Sequence, residues 1–413
     1  MITWITPWLG TGPFGVDMVP KGVHCVDIRA LVDKGGNRAE SLSGYIHASL
    51  EALSKGNRVL ICCDHGISRS NAIAAAVLSQ YEKISFSEAV RRVLLATGNA
   101  EIRLEVLEAV RDVFCRENSP PAKSKRQRWL LTGGHGYLGA ALAKCVSPQV
   151  DLLRPTHSEL DLASEGVALD LFVHEHNVTK ILHFAAPHVG NINSSLASSI
   201  TMLRNVLDTC VSNNIPLFFP SRWEVFSGYK GQQLAANEMT PLMPAGVLGD
   251  TKFLSEKLIE QYVHRSGLQA IVFRSGLVYG GRSAPTFLKG FVRRAIDRET
   301  IITHVYRNGP PKLDLVSLED WVIACWRLLN SGSATGVYHC GSGKLISTRE
   351  VADIVMQTIG RAGKTEQMEI DDSVANIELD SKKLKCDLDW MPKSNVIDGL
   401  REYVRRSVEE LSV

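Results

Sequence analysis

At 413 residues, 45% hydrophobic and 22% charged, the chain is too long for one ordinary core and has the balance of a globular protein with two or more domains. A formal net charge of +2 leaves no electrostatic footprint for nucleic acid or an anionic membrane, so neither is expected as a partner. No apolar run approaches 18 residues without a charge, the first residues lack a basic start with an apolar core, and nine scattered cysteines show no zinc-like Cys/His spacing. A cytoplasmic protein with reduced thiols and no metal is expected.

In chain order, "HCVDIRAL" (24–31) reads as a strand, "SLSGYIHASLEALSKG" (41–56) as an amphipathic helix, "RVLICC" (58–63) as a buried strand and "NAIAAAVLSQY" (71–81) as a helix. "SFSEAVRRVLLAT" (85–97) and "IRLEVLEAVRDVFCR" (102–116) add two more helices. "RENSPPAKSKRQR" (116–128) is poor in apolar residues and carries two prolines and a basic run, which reads as a linker. Beyond it, strands and helices alternate to the end of the chain, the pattern of a parallel sheet covered on both faces. The expected fold class is α/β in two domains: a small domain over 1–118, a linker over 119–127, and a doubly wound Rossmann sheet over 128–413 with a small carboxy-terminal substrate subdomain.

The stretch "VLICCDHGISRS" runs from a buried strand through a tight turn into a helix. Between Cys63 and Arg69 stand Asp64, His65, Gly66, Ile67 and Ser68. Converging backbone N–H groups, the positive end of a helix and a bidentate guanidinium suit an anion, and the same field lowers a thiol pKa. Gly66 permits the tight turn, and Ser68 or Ser70 can hydrogen-bond the sulfur. "CCDHGISRS" resembles the signature loop C-x2-G-x-S-R-S of the dual-specificity branch of protein tyrosine phosphatases. That resemblance implies Cys63 as nucleophile through a phosphocysteine, Arg69 as phosphate ligand, Ser70 as an aid to sulfur departure, and an aspartate general acid about thirty residues upstream. Asp33 fits that spacing and is favoured over Asp27. Cys62 stands where the family carries histidine, which leaves the thiol less acidic or open to a redox event with Cys63 or another cysteine.

"WLLTGGHGYLGAALAKCV" (129–146) is a strand, a glycine-rich turn and a helix, with Gly133, Gly136 and Gly139 in the T-G-x-x-G-x-x-G spacing. The first glycine turns the chain, the second admits a pyrophosphate, and the third lets helix pack on strand. Together with "ELDL" (159–162), "ILHFAA" (181–186), "FFPSRWEVFSG" (218–228), "NEMTPLMPAGVLGDTKFLSEKL" (237–258) and "FRSGLVYG" (273–280), the region resembles extended short-chain dehydrogenases, the epimerases, dehydratases and dTDP-4-dehydrorhamnose reductase-like proteins. The resemblance implies a dinucleotide held by the three glycines with Tyr137 and Leu138, by Asp161 and Leu162 on the adenine side, and by Ala185, Ala186, Ser221 and Lys252. Arg154 follows the second strand where a 2′-phosphate would lie, so NADP is favoured over NAD. The pattern departs at Leu248: four residues before Lys252 the family carries the tyrosine that moves the proton in the hydride step. Arg222 and Trp223 follow Ser221 in place of a second hydroxyl.

The reading carried forward is a cysteine-dependent phosphoric monoester hydrolase fused to an NAD(P)-binding domain with a sensing, recruiting or regulatory role. A bifunctional phosphatase and sugar-nucleotide epimerase or reductase is the second reading, and a non-catalytic binding protein the third. Expected partners are a phosphorylated substrate (protein, sugar or lipid phosphate) and a dinucleotide or sugar nucleotide, with a homodimer left open.

Overall fold

The computed structural model describes residues 2–15, 19–34, 36–84, 86–98, 102–113 apart from 104, 108 and 112, 127–164, 166–187, 192–281, 285–360, 364–393 and 395–411. The linker expected over 119–127 lies outside the described residues except for its last position. The chain forms two compact units, Met1–Lys125 with Glu165–Glu175, and Arg126–Ser164 with His176–Val413.

The first unit is built on a four-stranded sheet of order β1-β2-β4-β3, with β1 Thr3–Trp4, β2 Leu9–Pro13, β3 Val23–Asp27 and β4 Arg58–Cys63. β2, β4 and β3 run parallel, and β1 is antiparallel to β2. Every residue of β4 after Arg58 is buried, as expected of a central parallel strand flanked on both edges. α1 (Ala39–Ser54) turns Leu42, Ile46, Ser49 and Leu53 inward at helical spacing. α2 (Arg69–Glu82) is buried from Arg69 to Ser79, and its run of small alanines lets it pack against both α1 and α3 (Phe86–Ala96). From the helix expected over 102–116, Val106, Leu107, Val110 and Val113 lie in the same core.

A segment from far along the chain completes this unit. The helix Gly166–Glu175, which is α5 (α4 is Tyr137–Cys145), contributes Val167 to the core and Asp170 to a buried ion pair with Arg111 at 2.5 Å.

The second unit carries a six-stranded parallel sheet of order β14-β10-β8-β7-β5-β6. Its strands are β5 Arg128–Thr132, β6 Asp151–Leu153, β7 Lys180–His183, β8 Leu217–Arg222, β10 Ala270–Ser275 and β14 Gly336–Cys340. From β5 the chain goes to one side for β6 and to the other for β7, so the order reverses at β5. A crevice opens at the carboxyl ends of strands at such a switch point, here Thr132 and His183. Smaller sheets pair β11 (Leu277–Tyr279) with β13 (Lys312–Ser317) and β15 (Leu345–Ser347), β12 (Ile301–Tyr306) with β16 (Thr365–Ile370), and β9 (Gln233–Ala236) with β17 (Asn376–Leu379). α6 (Ile192–Ser212) and α7 (Val247–Ser266) pack together, and α7 lies against β8 and β10.

Candidate functional site

The glycine-rich turn sits at the switch point because β5 ends at Thr132 and α4 begins at Tyr137. Gly133 has φ +65°, and a Cβ there would stand 2.6 Å from the Ala185 amide nitrogen. At Gly139 a Cβ would stand 2.5 Å from Gly133 O, so only glycine lets α4 approach the turn this closely. Gly136 caps α4, its N–H donating to Gly133 O at 3.0 Å. The first amides of a helix lack intrahelical acceptors and favour an anion.

Around the turn, Tyr137 donates from its hydroxyl to Gly280 O at 2.7 Å, Leu138 packs into the sheet core, and the Ala185 amide donates to Thr132 Oγ1 at 3.3 Å. Ala186 is exposed beside it. Thr132 Oγ1 also bonds His183 Nδ1 at 2.9 Å, and burial, then the Lys252 charge, push the His183 pKa down to about 3. Arg154 lies across Gly134, donating from Nη2 to Gly134 O at 2.7 Å, while its own carbonyl accepts from His135 Nε2 at 3.1 Å. The Arg154 Nε is buried with no hydrogen-bond partner among the described residues. Asp161 accepts from the Ala163 amide at 2.9 Å, and Leu162 is buried with its carbonyl on Asn205 Nδ2.

The expected proton-moving pair is half present. Lys252 on α7 donates to Pro220 O at 2.8 Å and lies 4.4 Å from the Phe219 ring centre. Burial, then the nearby Arg222 charge, lower its pKa to about 8 against the pull of Glu256 and Glu224. Leu248 is 52% exposed and offers no proton. Tyr229, a hydroxyl on the neighbouring loop, donates to Pro241 O at 2.9 Å.

Ser221 is drawn into a buried polar network. It is 1% exposed, and its hydroxyl donates to Glu256 Oε1. Glu256 in turn accepts from Arg274 Nη2 at 2.6 Å, and Arg274 Nη1 donates to His339 Nε2 at 3.2 Å. Because arginine only donates, His339 carries its proton on Nδ1 and gives it to Ala236 O at 3.1 Å. A buried charge needs such a partner set, and Ser221 is part of it. Sequence reasoning missed this network, although Glu256 four residues after Lys252 puts both on one face of α7.

In the first unit the loop from Asp64 to Ser68 joins β4 to α2. Gly66 has φ +70°, and a Cβ there would collide with the Gly12 carbonyl carbon. Cys63 Sγ accepts from the Gly66 amide at 3.1 Å and lies 3.5 Å from Ser70 Oγ. Burial pushes the thiol up, but hydrogen bonds from the Ser70 hydroxyl and from the Ser70, Gly66 and Ile67 amides outweigh it and leave the pKa lowered. Ser68 Oγ accepts from the Arg103 amide at 3.1 Å, and His65 and Ile67 are exposed. Arg69 is held at both edges, by Asp64 Oδ2 at 2.5 Å and Leu31 O at 2.6 Å. Asp33 pairs with Arg103 Nε at 3.3 Å, and Asp27 with Arg29 at 2.8 Å.

The fold and the glycine turn of the second unit define the class as a doubly wound nucleotide-binding domain. The chain belongs to the family of the RmlD substrate binding domain, whose model matches residues 127–379. It is 25% identical over 309 residues to the low-salt glycan biosynthesis protein Agl12 of Haloferax volcanii, covering 67% of this chain and 96% of that protein. GDP-L-fucose synthase 1 of Arabidopsis thaliana is 24% identical, over 67% of this chain and 92% of its own. Among solved structures, UDP-glucose 4-epimerase of Thermus thermophilus in complex with NAD superposes with a TM-score of 0.57 at 21% identity, over 68% of this chain and 99% of that one. dTDP-glucose 4,6-dehydratase of Streptomyces venezuelae with NAD and TYD bound gives 0.59 at 20% identity, over 69% and 98%.

These findings overturn the expectation of a phosphoric monoester hydrolase. The family match falls on the glycine-turn unit, and the relatives named above include a synthase, an epimerase and a dehydratase. The loop has a physical reason as well: the Asp64 carboxylate occupies one edge of the Arg69 guanidinium and repels an incoming oxyanion. Among the described residues no group of His, Cys, Asp or Glu could hold a metal, and no helix is long and apolar enough to cross a membrane.

Proposed function

We propose that the second unit binds a nicotinamide dinucleotide together with a sugar nucleotide, and holds the pair without running the ordinary alcohol–ketone step. The observation that carries this is the glycine turn: positions 133 and 139 have no room for a Cβ, and a buried Arg154 Nε beside the turn lacks a partner among the described residues. Gly133, Gly136 and Gly139 with the first amides of α4 would hold the pyrophosphate, and Lys252 the nicotinamide ribose. Arg154 would meet a 2′-phosphate, which favours NADP. When bound, the nicotinamide supplies hydride transfer. This chain's own contribution to that chemistry stops at Leu248, because a hydride step needs a proton carrier within hydrogen-bond reach and neither Leu248, Ser221 nor Tyr229 has one to spare. The relatives' names support the sugar-nucleotide class, and the missing hydroxyl supports a recruiting or regulatory role.

The test is titration of the full chain with NADPH and NADH by nucleotide fluorescence, followed by incubation with UDP-, GDP- and dTDP-sugars. Saturable binding, no turnover by the natural protein, and turnover gained in Leu248→Tyr are expected. Failure to bind either dinucleotide overturns the proposal, as does natural-protein turnover that Leu248→Tyr leaves unchanged.

A further inference from the structure

A second chemistry-bearing cluster lies in the first unit and has no part in dinucleotide binding. Cys25 on β3 and Cys62 on β4 have their sulfurs 3.5 Å apart. β3 and β4 are parallel, with Cys25 opposite Leu60 and Asp27 opposite Cys62. The two cysteines are therefore diagonal neighbours, two residues apart in register. Side chains alternate along a strand, so Cys25 and Cys62 share one face of the sheet and Cys63 projects from the other. Cys63 packs on that other face with Val26, Val59 and Ile61. On the far side of Cys62, β2 presents Gly12. Cys62 is fully buried, while Cys25 is partly exposed and open to a small oxidant.

We propose that Cys25 and Cys62 form a reversible dithiol–disulfide site that takes a peroxide as oxidant. A disulfide needs about 2.05 Å between sulfurs and Cα atoms within about 7 Å. Diagonal neighbours on adjacent strands stand about 7–8 Å apart, so closing the 3.5 Å contact takes a small slide of β3 along β4 as well as side-chain rotation. The Cys25 thiolate attacks a peroxide oxygen, the O–O bond breaks, and hydroxide leaves to become water, giving a sulfenic acid. The Cys62 sulfur then attacks that sulfur; the S–S bond forms, the S–O bond breaks, and hydroxide leaves with the Cys62 proton as a second water. Two thiols and one peroxide give one disulfide and two waters, with two electrons passing from sulfur to oxygen. This order fits the thiols: burial, then the hydrogen bond with Cys25, push the Cys62 pKa up to about 12, so Cys62 is the poorer first nucleophile. The bond clasps β3 to β4 on the face away from Cys63.

Peptide mapping of the full chain tests this. Reduced protein, freed of reductant without air, is exposed to excess hydrogen peroxide, denatured, alkylated and digested with trypsin. Cys25 falls in the peptide 22–29, and Cys62 and Cys63 fall together in 59–69. The expected product joins the two peptides through Cys25 and Cys62 with Cys63 alkylated, and alkylatable thiols fall from nine to seven and return with dithiothreitol. In Cys62→Ala the same treatment leaves Cys25 as a sulfenic acid trapped by dimedone. A Cys62–Cys63 or Cys25–Cys63 link overturns the proposal. So does natural protein in which both thiols stay alkylatable at a peroxide dose that oxidises Cys25 in Cys62→Ala.

Discussion

Leu248 stands one helical turn before Lys252 on α7, and of the two only Lys252 turns a polar group inward, its ammonium donating to Pro220 O at 2.8 Å. The position that faces water carries no proton, and the position with a proton to give is half-buried. If this ammonium holds the ribose, Lys252→Met removes a charged hydrogen bond. A loss of roughly tenfold in NADPH affinity is expected, the size of about 1.4 kcal/mol. Because the protonated form is the one that binds, affinity in the natural protein should hold below its pKa of about 8 and fall above it. Titrations across pH 6–9.5 check both, and an unchanged pH profile in Lys252→Met would refute the role.

Arg154 lies against the turn with its Nε unpartnered among the described residues, and under the proposed NADP reading it would meet the 2′-phosphate. Arg154→Glu should weaken NADPH binding by roughly tenfold or more while leaving NADH within about threefold, since an ion pair becomes a like-charge contact. Equal loss for both nucleotides would show that Arg154 merely props the glycine turn.

Ser221 hydrogen-bonds into the Glu256–Arg274–His339 network. Ser221→Ala should therefore lower stability by about 1.5–3 kcal/mol, the range for a hydrogen bond to a charged group, with dinucleotide affinity unchanged. Glu256→Ala should cost more, about 3–5 kcal/mol, because it strands Arg274 in the core. Urea unfolding beside fluorescence titration separates the two effects.

His183 and His339 are buried and neutral, each lowered to about 3, by burial first and then by Lys252 and Arg274 respectively. Their folded pKa lies below the unfolded 6.5, so their contribution is complete above about 6.5 and lost as pH falls through about 3. Each contributes a slope of about 1.4 kcal/mol per pH unit in between. Asp314 acts in the opposite sense: burial raises its carboxyl to about 6, so its contribution is present below 3.8 and lost as pH rises through about 6. Two histidines against one carboxylate leave a net loss of about 1.4 kcal/mol per pH unit on going from pH 6 to 4. Urea midpoints over that range should fall with pH; a flat or rising profile would mean the histidines are charged in the folded state.

The two turns were legible because each is local. Strand, glycine turn and helix follow one another within twenty residues at "WLLTGGHGYLGAALAKCV" and again at "VLICCDHGISRS", and both fold as those strings suggest. The parallel sheet was also foreshadowed by alternating strands and helices, since parallel strands require crossovers. The absence of a hydroxyl at position 248 is a matter of sequence alone.

What tertiary structure decided are pairings between distant segments. Cys25 and Cys62 are 37 residues apart and meet only through the register of β3 on β4. Ser221 and Glu256 are 35 apart, and only the packing of α7 against β8 brings the two together in a buried bond. Arg111 and Asp170, 59 apart, show that α5 completes the first unit although its neighbours in sequence build the second. Local pattern sets which way a side chain can point on its own strand or helix. Which partner it meets depends on how elements far apart in sequence are brought together to bury their apolar faces, and no short string encodes that.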